Sequence, residues 1–226
     1  MFFSKKFKSF KTIRHCFFSR KGGFSKGLYK GLNCGKGSND NKKHIIKNLS
    51  LVVNKMQVNL NNLILMHQTH SNKVLEVNKD NLKKKIIADA VITKEKGILL
   101  GVVTADCVPI LVFDRKNGVI GCIHAGWKGA FSGILENTIN KIKKLNFKSN
   151  IYASIGPCIG KRSYEVDIDF YKKFVSRSKK NKKFFSQKSK LKKFFDLRKY
   201  VTSKLLDLGV KIDQVNHDTF KEKNYF

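Results

Sequence analysis

At 226 residues and 41% hydrophobic content the chain can bury a sizeable core, and no apolar run is long enough to span a bilayer. The formal net charge is +31, yet only six of the 47 basic residues are arginine, at positions 14, 20, 115, 162, 177 and 198. Nucleic-acid surfaces favour arginine's forked donors, so this lysine excess, beside abundant Asn, Ile and Phe, argues for compositional bias over a specific nucleic-acid partner.

The opening "MFFSKKFKSFKTIRHCFFSR" is basic and Phe-rich and lacks the apolar segment and small-residue cleavage site of a secretory signal. A soluble, cytoplasmic protein is expected. The stretch 43–56 spaces Ile45, Ile46, Leu49 and Val52 as a helix does. Short strand-like runs follow at 63–66, 73–77, 86–93, 98–104, 109–114 and 118–126, with Asn117-Gly118 marking a hairpin turn. Phe131, Ile134, Leu135, Thr138, Ile139, Ile142 and Leu145 predict one amphipathic helix over 130–146. A strand at 151–156, helices near 167–177 and 197–208, and a strand at 210–215 complete the pattern. The densest basic run, 179–195, reads as a solvated loop or helix face anchored by phenylalanines. Strands cluster centrally with helices around them, so an α+β fold in one domain, 1–226, is expected.

Three segments place unusual polar residues at strand ends: "HQTHS" (67–71), "TADC" (104–107) and "HAGWKG" (124–129). The apolar strands ending before Cys107 and at His124 are expected to lie side by side, with a third bringing a histidine of "HQTHS". One thiolate and two imidazoles suit zinc with an open fourth position, and copper could also bind. A lone HxxH is otherwise an ordinary polar pair, and a lone cysteine a small hydrophobe, as Cys122 and Cys158 read. Cys107 as a nucleophile with His124 as its base is a third reading, and spacing alone leaves it open. The five cysteines are odd in number and lack a CxxC pair, which argues against a disulfide framework or a closed structural zinc site.

"HQTH", "DAVIT", "TADCVPILVFD", "IGCIHAGWKG" and "IGPCIGKRSYEV" stand in that order, preceded by "FFSRKGGFSKGLYKGLNCG" (17–35). Together they resemble the YfiH family, long labelled laccase-domain or polyphenol-oxidase-like proteins and regarded as purine nucleoside phosphorylases. The resemblance runs from about residue 17 to the C-terminus.

The resemblance implies a layered α/β/β/α domain with mixed β-sheets. It also implies a Zn2+ or Cu2+ ion held by His70, Cys107 and His124, with His67 a neighbour shaping the site. The activity implied is phosphorolysis of adenosine, inosine and 5′-methylthioadenosine to base and ribose 1-phosphate, with deamination of adenosine. In deamination a water activated by the ion would attack C6 of adenine. Asp106, beside Cys107, would then shuttle protons or else merely cap backbone N–H groups. Arg20 and Lys128 are the candidates for phosphate, and Asn33 for a base or ribose edge or for a turn. Lys128 stands where the family usually has Arg, which keeps the charge but loses the bidentate geometry. The chain stops at "KNYF", short of an "FFSYRR"-like segment, so the expectation is either a truncated sequence or a member that lacks the last strand and its arginine pair. "DT" at Asp218-Thr219 replaces a frequent "CT". The alternatives are a copper polyphenol oxidase, poorly served by six histidines, a metal-free Cys-His hydrolase and a basic nucleic-acid-binding protein.

Overall fold

The central strands read as unbroken apolar runs because the sheet they form is covered on both faces. The computed structural model describes residues 1–145 and 148–225. Its largest sheet uses β2 (Val74–Glu76), β3 (Ala90–Thr93), β5 (Val108–Asp114), β6 (Val119–Ala125), β7 (Ile151–Ile155) and β11 (Lys211–Gln214), in the order β11-β7-β5-β6-β3-β2. Two pairings are parallel, β11 with β7 and β2 with β3, and the rest antiparallel. β1 (Leu63–Leu65) and β4 (Leu99–Gly101) form a separate parallel pair. β8 (Glu165–Asp167), β10 (Lys192–Phe195) and β9 (Phe185–Gln187) form a third, antiparallel sheet.

The strand period of two sorts the side chains. Val108, Ile110, Val112, Val119, Ile123, Ala153 and Ile155 face one buried cluster, which also holds Ile134, Leu135, Ile139, Tyr200 and Val201. Those five come from α4 (Ile134–Leu145) and α6 (Leu197–Asp207). Val91 and Cys122, alternating with these positions, face a second cluster with Ile64 and Leu100 of the small sheet. Phe113 and Tyr152 face a third, with Phe7 of the short N-terminal helix α1 (Lys5–Lys8) and Phe10 just beyond it. α2 (Lys42–Met56) is capped by the Asn41 side chain and ends at a left-handed Gln57; its Leu49, Val52 and Met56 share a cavity of about 900 Å3 with Leu63, Leu65 and Leu111. The layers are therefore helix, small sheet, large sheet, helices: the mixed α/β/β/α arrangement expected.

Four local expectations need correcting. The helix expected over 130–146 is two helices, α3 (Trp127–Ser132) and α4, because Gly133 adopts φ +100° between them; Asn146 lies outside the described residues. The strand expected over 86–93 begins only at Ala90. The run 98–104 does not pair beside 118–126: β4 pairs with β1, and the neighbour of β6 on that side is β5. The basic run 179–195 contains the whole of β9 and β10, and its anchors are Phe184 and Phe195, both buried. Most lysines of the run, Lys179, Lys180, Lys182, Lys183, Lys188, Lys190 and Lys192 among them, are exposed, so the segment buries its rings while its charges stay in water. α5 (Ile168–Arg177), capped by Asp167, adds Phe174 to the same aromatic cluster.

Candidate metal centre and active site

β5 and β6 form a hairpin whose register pairs Pro109 with His124 and Val108 with Ala125. Cys107, just before β5, therefore meets His124 near the end of β6. The proximity was legible in the sequence; the strand responsible is β5, not 98–103. His70 arrives on the loop after β1, its Nε2 3.8 Å from Cys107 Sγ and its ring 4.7 Å from the His124 ring, edge to face. The three donor atoms all lie within 4.8 Å of one another. Tetrahedral zinc with ordinary bond lengths separates such atoms by roughly 3.3–3.8 Å, so a modest contraction would close the set.

The donor chemistry fits an ion. His124 Nδ1 lies 2.8 Å from the Asp89 carboxylate, which leaves Nε2 to ligate. Gly126 faces the group, and a Cβ there would sit 2.8 Å from His70 Cδ2 and 3.0 Å from Cys107 Sγ. A side chain at 126 would press on the His70 ring and the Cys107 sulfur. Burial, and then the negative charges of Asp106, Cys158 and Asp89, push the Cys107 thiol up to about 11. Burial also lowers the His124 pKa against the opposing pull of Asp89, so its imidazole is neutral at pH 7.

The backbone here is unusual. Among the described residues three non-glycines have positive φ; one is Gln57, and the other two are His70 at +59° and Asp106 at +71°. The left-handed region is uncommon for residues with a Cβ, and such positions gather at functional sites. "HQTH" is consequently not a strand. His67 is exposed and bridges Ile87 through its backbone, while Gln68 ties the loop to the segment before Cys107, donating to Val103 O at 2.8 Å and accepting from Val103 N at 3.1 Å.

Asp106 accepts from the Thr219 hydroxyl at 2.7 Å, and its carbonyl takes the Ile159 N–H at 3.0 Å. Asp106, Arg20, Thr219, Lys221 and Tyr225 line a cavity of about 290 Å3. Arg20 donates to the carbonyls of Lys30 and Tyr225, which fix its guanidinium in the cavity wall. Asn33 spends its amide inside its own turn: it donates to Ser38 Oγ and Asp40 Oδ2 and accepts from Gly35 N. Lys128 is exposed on α3, its Nζ 5.7 Å from the Trp127 ring. Arg20 and Asp106 are thus brought together, whereas Asn33 lines the larger cavity and Lys128 lines neither.

Asp89 was not singled out in the sequence. It is fully buried just before β3 and collects hydrogen bonds from Thr69, His70, Ser71 and His124. Burial raises its pKa, but the bonds from His124, Ser71 and Thr69 outweigh that and bring it down to about 2. The available signal was its place as the one charged residue in the apolar stretch "IIADAVIT".

The model of a family described as multi-copper polyphenol oxidoreductase laccase matches residues 14–226. A purine nucleoside phosphorylase of Rickettsia conorii is 36% identical over 189 residues, 79% of this chain and 76% of its own. One of Haemophilus influenzae is 33% identical over 211 residues, 92% of this chain and 84% of its own. The crystal structure of the Bacillus licheniformis hypothetical protein YfiH superposes with a TM-score of 0.85 at 25% identity, covering 92% of this chain and 83% of that one. In sequence and in fold, the chain belongs to the YfiH family of laccase-domain proteins.

Proposed function

We propose that this chain is a metal-dependent purine nucleoside phosphorylase that also deaminates adenosine, works in the cytoplasm, and takes adenosine, inosine or 5′-methylthioadenosine with phosphate. The observation that carries this reading is the convergence of His70, Cys107 and His124 within 4.8 Å, in a chain whose relatives are named purine nucleoside phosphorylases. His70 Nε2, Cys107 Sγ and His124 Nε2 would hold the ion, zinc in preference to copper. A bound zinc supplies Lewis acidity and lowers the pKa of a coordinated water toward ~7.

The chain's own residues do the rest. Thr219 holds Asp106 by one carboxylate oxygen, which leaves the other to exchange a proton with substrate or water. Arg20, fixed by two carbonyls, brings positive charge to the same cavity wall as Asp106, where a phosphate would need it. Lys128 adds charge from the solvent side. Asn33 keeps the 33–40 turn in shape, and its neighbours, not its amide, would meet a nucleoside.

Laccase chemistry on several copper ions is not favoured. Among the described residues the His70 group is the one set able to hold an ion, and the other histidines are spread elsewhere: His15 is bonded by Ser4 N, and His217 pairs with Glu222. A thiolate nucleophile is not favoured either, because the Cys107 thiol is raised, not lowered. No helix among the described residues is long and apolar enough to cross a membrane, and we assign no membrane partner. The positive charge is assigned no specific nucleic acid.

The test is product analysis of zinc-loaded protein with adenosine, with and without phosphate. Adenine and ribose 1-phosphate are expected only with phosphate, and inosine in both. No product from folded, metal-replete protein would overturn the assignment.

A further inference from the structure

We infer that Asp89 is a positioning residue that selects the ligating tautomer of His124 and shapes the loop presenting His70; the inference rests on the metal-site reading of the His70, Cys107 and His124 group.

Asp89 holds both histidines through a single oxygen. Its Oδ1 takes the His70 N–H at 3.0 Å and faces His124 Nδ1 at 2.8 Å. Its Oδ2 accepts from Ser71 N and Ser71 Oγ, both at 2.7 Å, and from Thr69 N at 3.2 Å. Three successive backbone N–H groups, 69 to 71, thus converge on one carboxylate, the arrangement of an anion nest. The same residue's carbonyl accepts the His124 N–H at 2.7 Å, so Asp89 grips His124 by main chain and side chain together.

Two consequences follow from this geometry. A carboxylate offers acceptors only, so His124 must carry its proton on Nδ1 and present an unprotonated Nε2. The left-handed backbone of His70 is unfavourable for a residue with a Cβ, and its charge-assisted bond to Oδ1 offsets that cost. Asparagine cannot replace this carboxylate. With its NH2 toward His124 it donates to Nδ1 and forces the proton onto Nε2, which then cannot ligate. With the NH2 turned the other way it meets the Thr69 and Ser71 N–H groups, and the loop loses its acceptor.

The experiment uses chelator-stripped full-length protein and Co2+ as the probe. The wild type is expected to bind Co2+ with the absorption of a four-coordinate site, and Asp89→Asn to bind it about 10- to 100-fold more weakly with an altered spectrum, while circular dichroism shows it folded. An Asp89→Asn protein with unchanged affinity and spectrum would overturn the inference. A second readout needs no variant: the imidazole nitrogen-15 spectrum of the metal-free wild type should show His124 as the Nδ1–H tautomer. The Nε2–H tautomer would overturn the inference even if the variant failed to fold. Wild-type protein that binds no Co2+ would sink the metal-site reading alone, because the tautomer measurement stands without an ion.

Discussion

Thr219 donates its hydroxyl to Asp106 Oδ1 at 2.7 Å, so residues 113 positions apart share one hydrogen bond beside the Cys107 thiol. Asp106 sits in the left-handed region at φ +71°, and the bond holds its carboxylate toward the small cavity. Thr219→Val keeps the shape and removes the donor. A hydrogen bond to a charged group contributes about 1.5–3 kcal/mol, and part of that loss should appear in the rate. Phosphorolysis of adenosine is expected to fall by about tenfold in Thr219→Val, as a loss of about 1.4 kcal/mol would produce, and to recover in Thr219→Ser. Equal rates for all three proteins would remove Asp106 from the mechanism.

Gly126 tests the metal cradle from the opposite side. A Cβ there would lie 2.8 Å from His70 Cδ2 and 3.0 Å from Cys107 Sγ. His70 is exposed and can swing away, so Gly126→Ala should fold yet lose the ligand geometry. Zinc content by elemental analysis is expected to fall well below one ion per chain, with affinity weakened at least tenfold or so. Full zinc content in the variant would place the ion elsewhere.

How much of this could be read beforehand differs by residue. The approach of Cys107 to His124 was legible because each stands at the end of an apolar run, and strand ends carry sites in mixed folds; that His70 and not His67 joins them was implied only by the family resemblance. The strand pairing beneath them was not legible, since the runs at 98–104 and 109–114 look alike as sequence and only the packing assigns β4 to β1. Asp89 escaped notice because one carboxylate in a strand-like run carries no spacing signal; its meaning comes from three N–H groups 18 to 20 residues upstream. The positive φ of His70 escaped for the same reason, being imposed by a distant acceptor.

Asp218 sets an acid limit on the C-terminal segment. Its carboxylate takes bonds from Gly160 N at 2.9 Å, Ser163 Oγ at 2.7 Å and Phe220 N at 3.2 Å. Burial raises its pKa, but these bonds win and leave it below the ordinary carboxylate value. A carboxylate depressed in the folded state stabilises the fold above its unfolded pKa, and that contribution is lost as pH falls through the folded value. Urea unfolding of the wild type should therefore weaken more steeply below about pH 4 than that of Asp218→Asn. At neutral pH the variant is expected to be less stable by about 1–2 kcal/mol. Parallel pH curves for the two proteins would show that the Asp218 charge contributes nothing.

Cys107 makes metal binding depend on pH in a direction that separates a ligand from a nucleophile. Its thiol is pushed up to about 11, so at neutral pH it carries a proton that an ion must displace. His124 is already neutral there, because burial lowers its pKa, and adds no further proton. Between pH 7 and pH 8 zinc affinity should therefore rise about tenfold, one proton being released per ion bound. Competition against a chelating dye, corrected for the dye's own protonation, measures it. The same raised thiol predicts slow alkylation of Cys107 in the stripped protein, slower still with zinc bound. A nucleophile paired with a protonated histidine would instead be thiolate at neutral pH and would alkylate quickly. Fast alkylation combined with a pH-independent zinc affinity would transfer the function from the ion to the thiol.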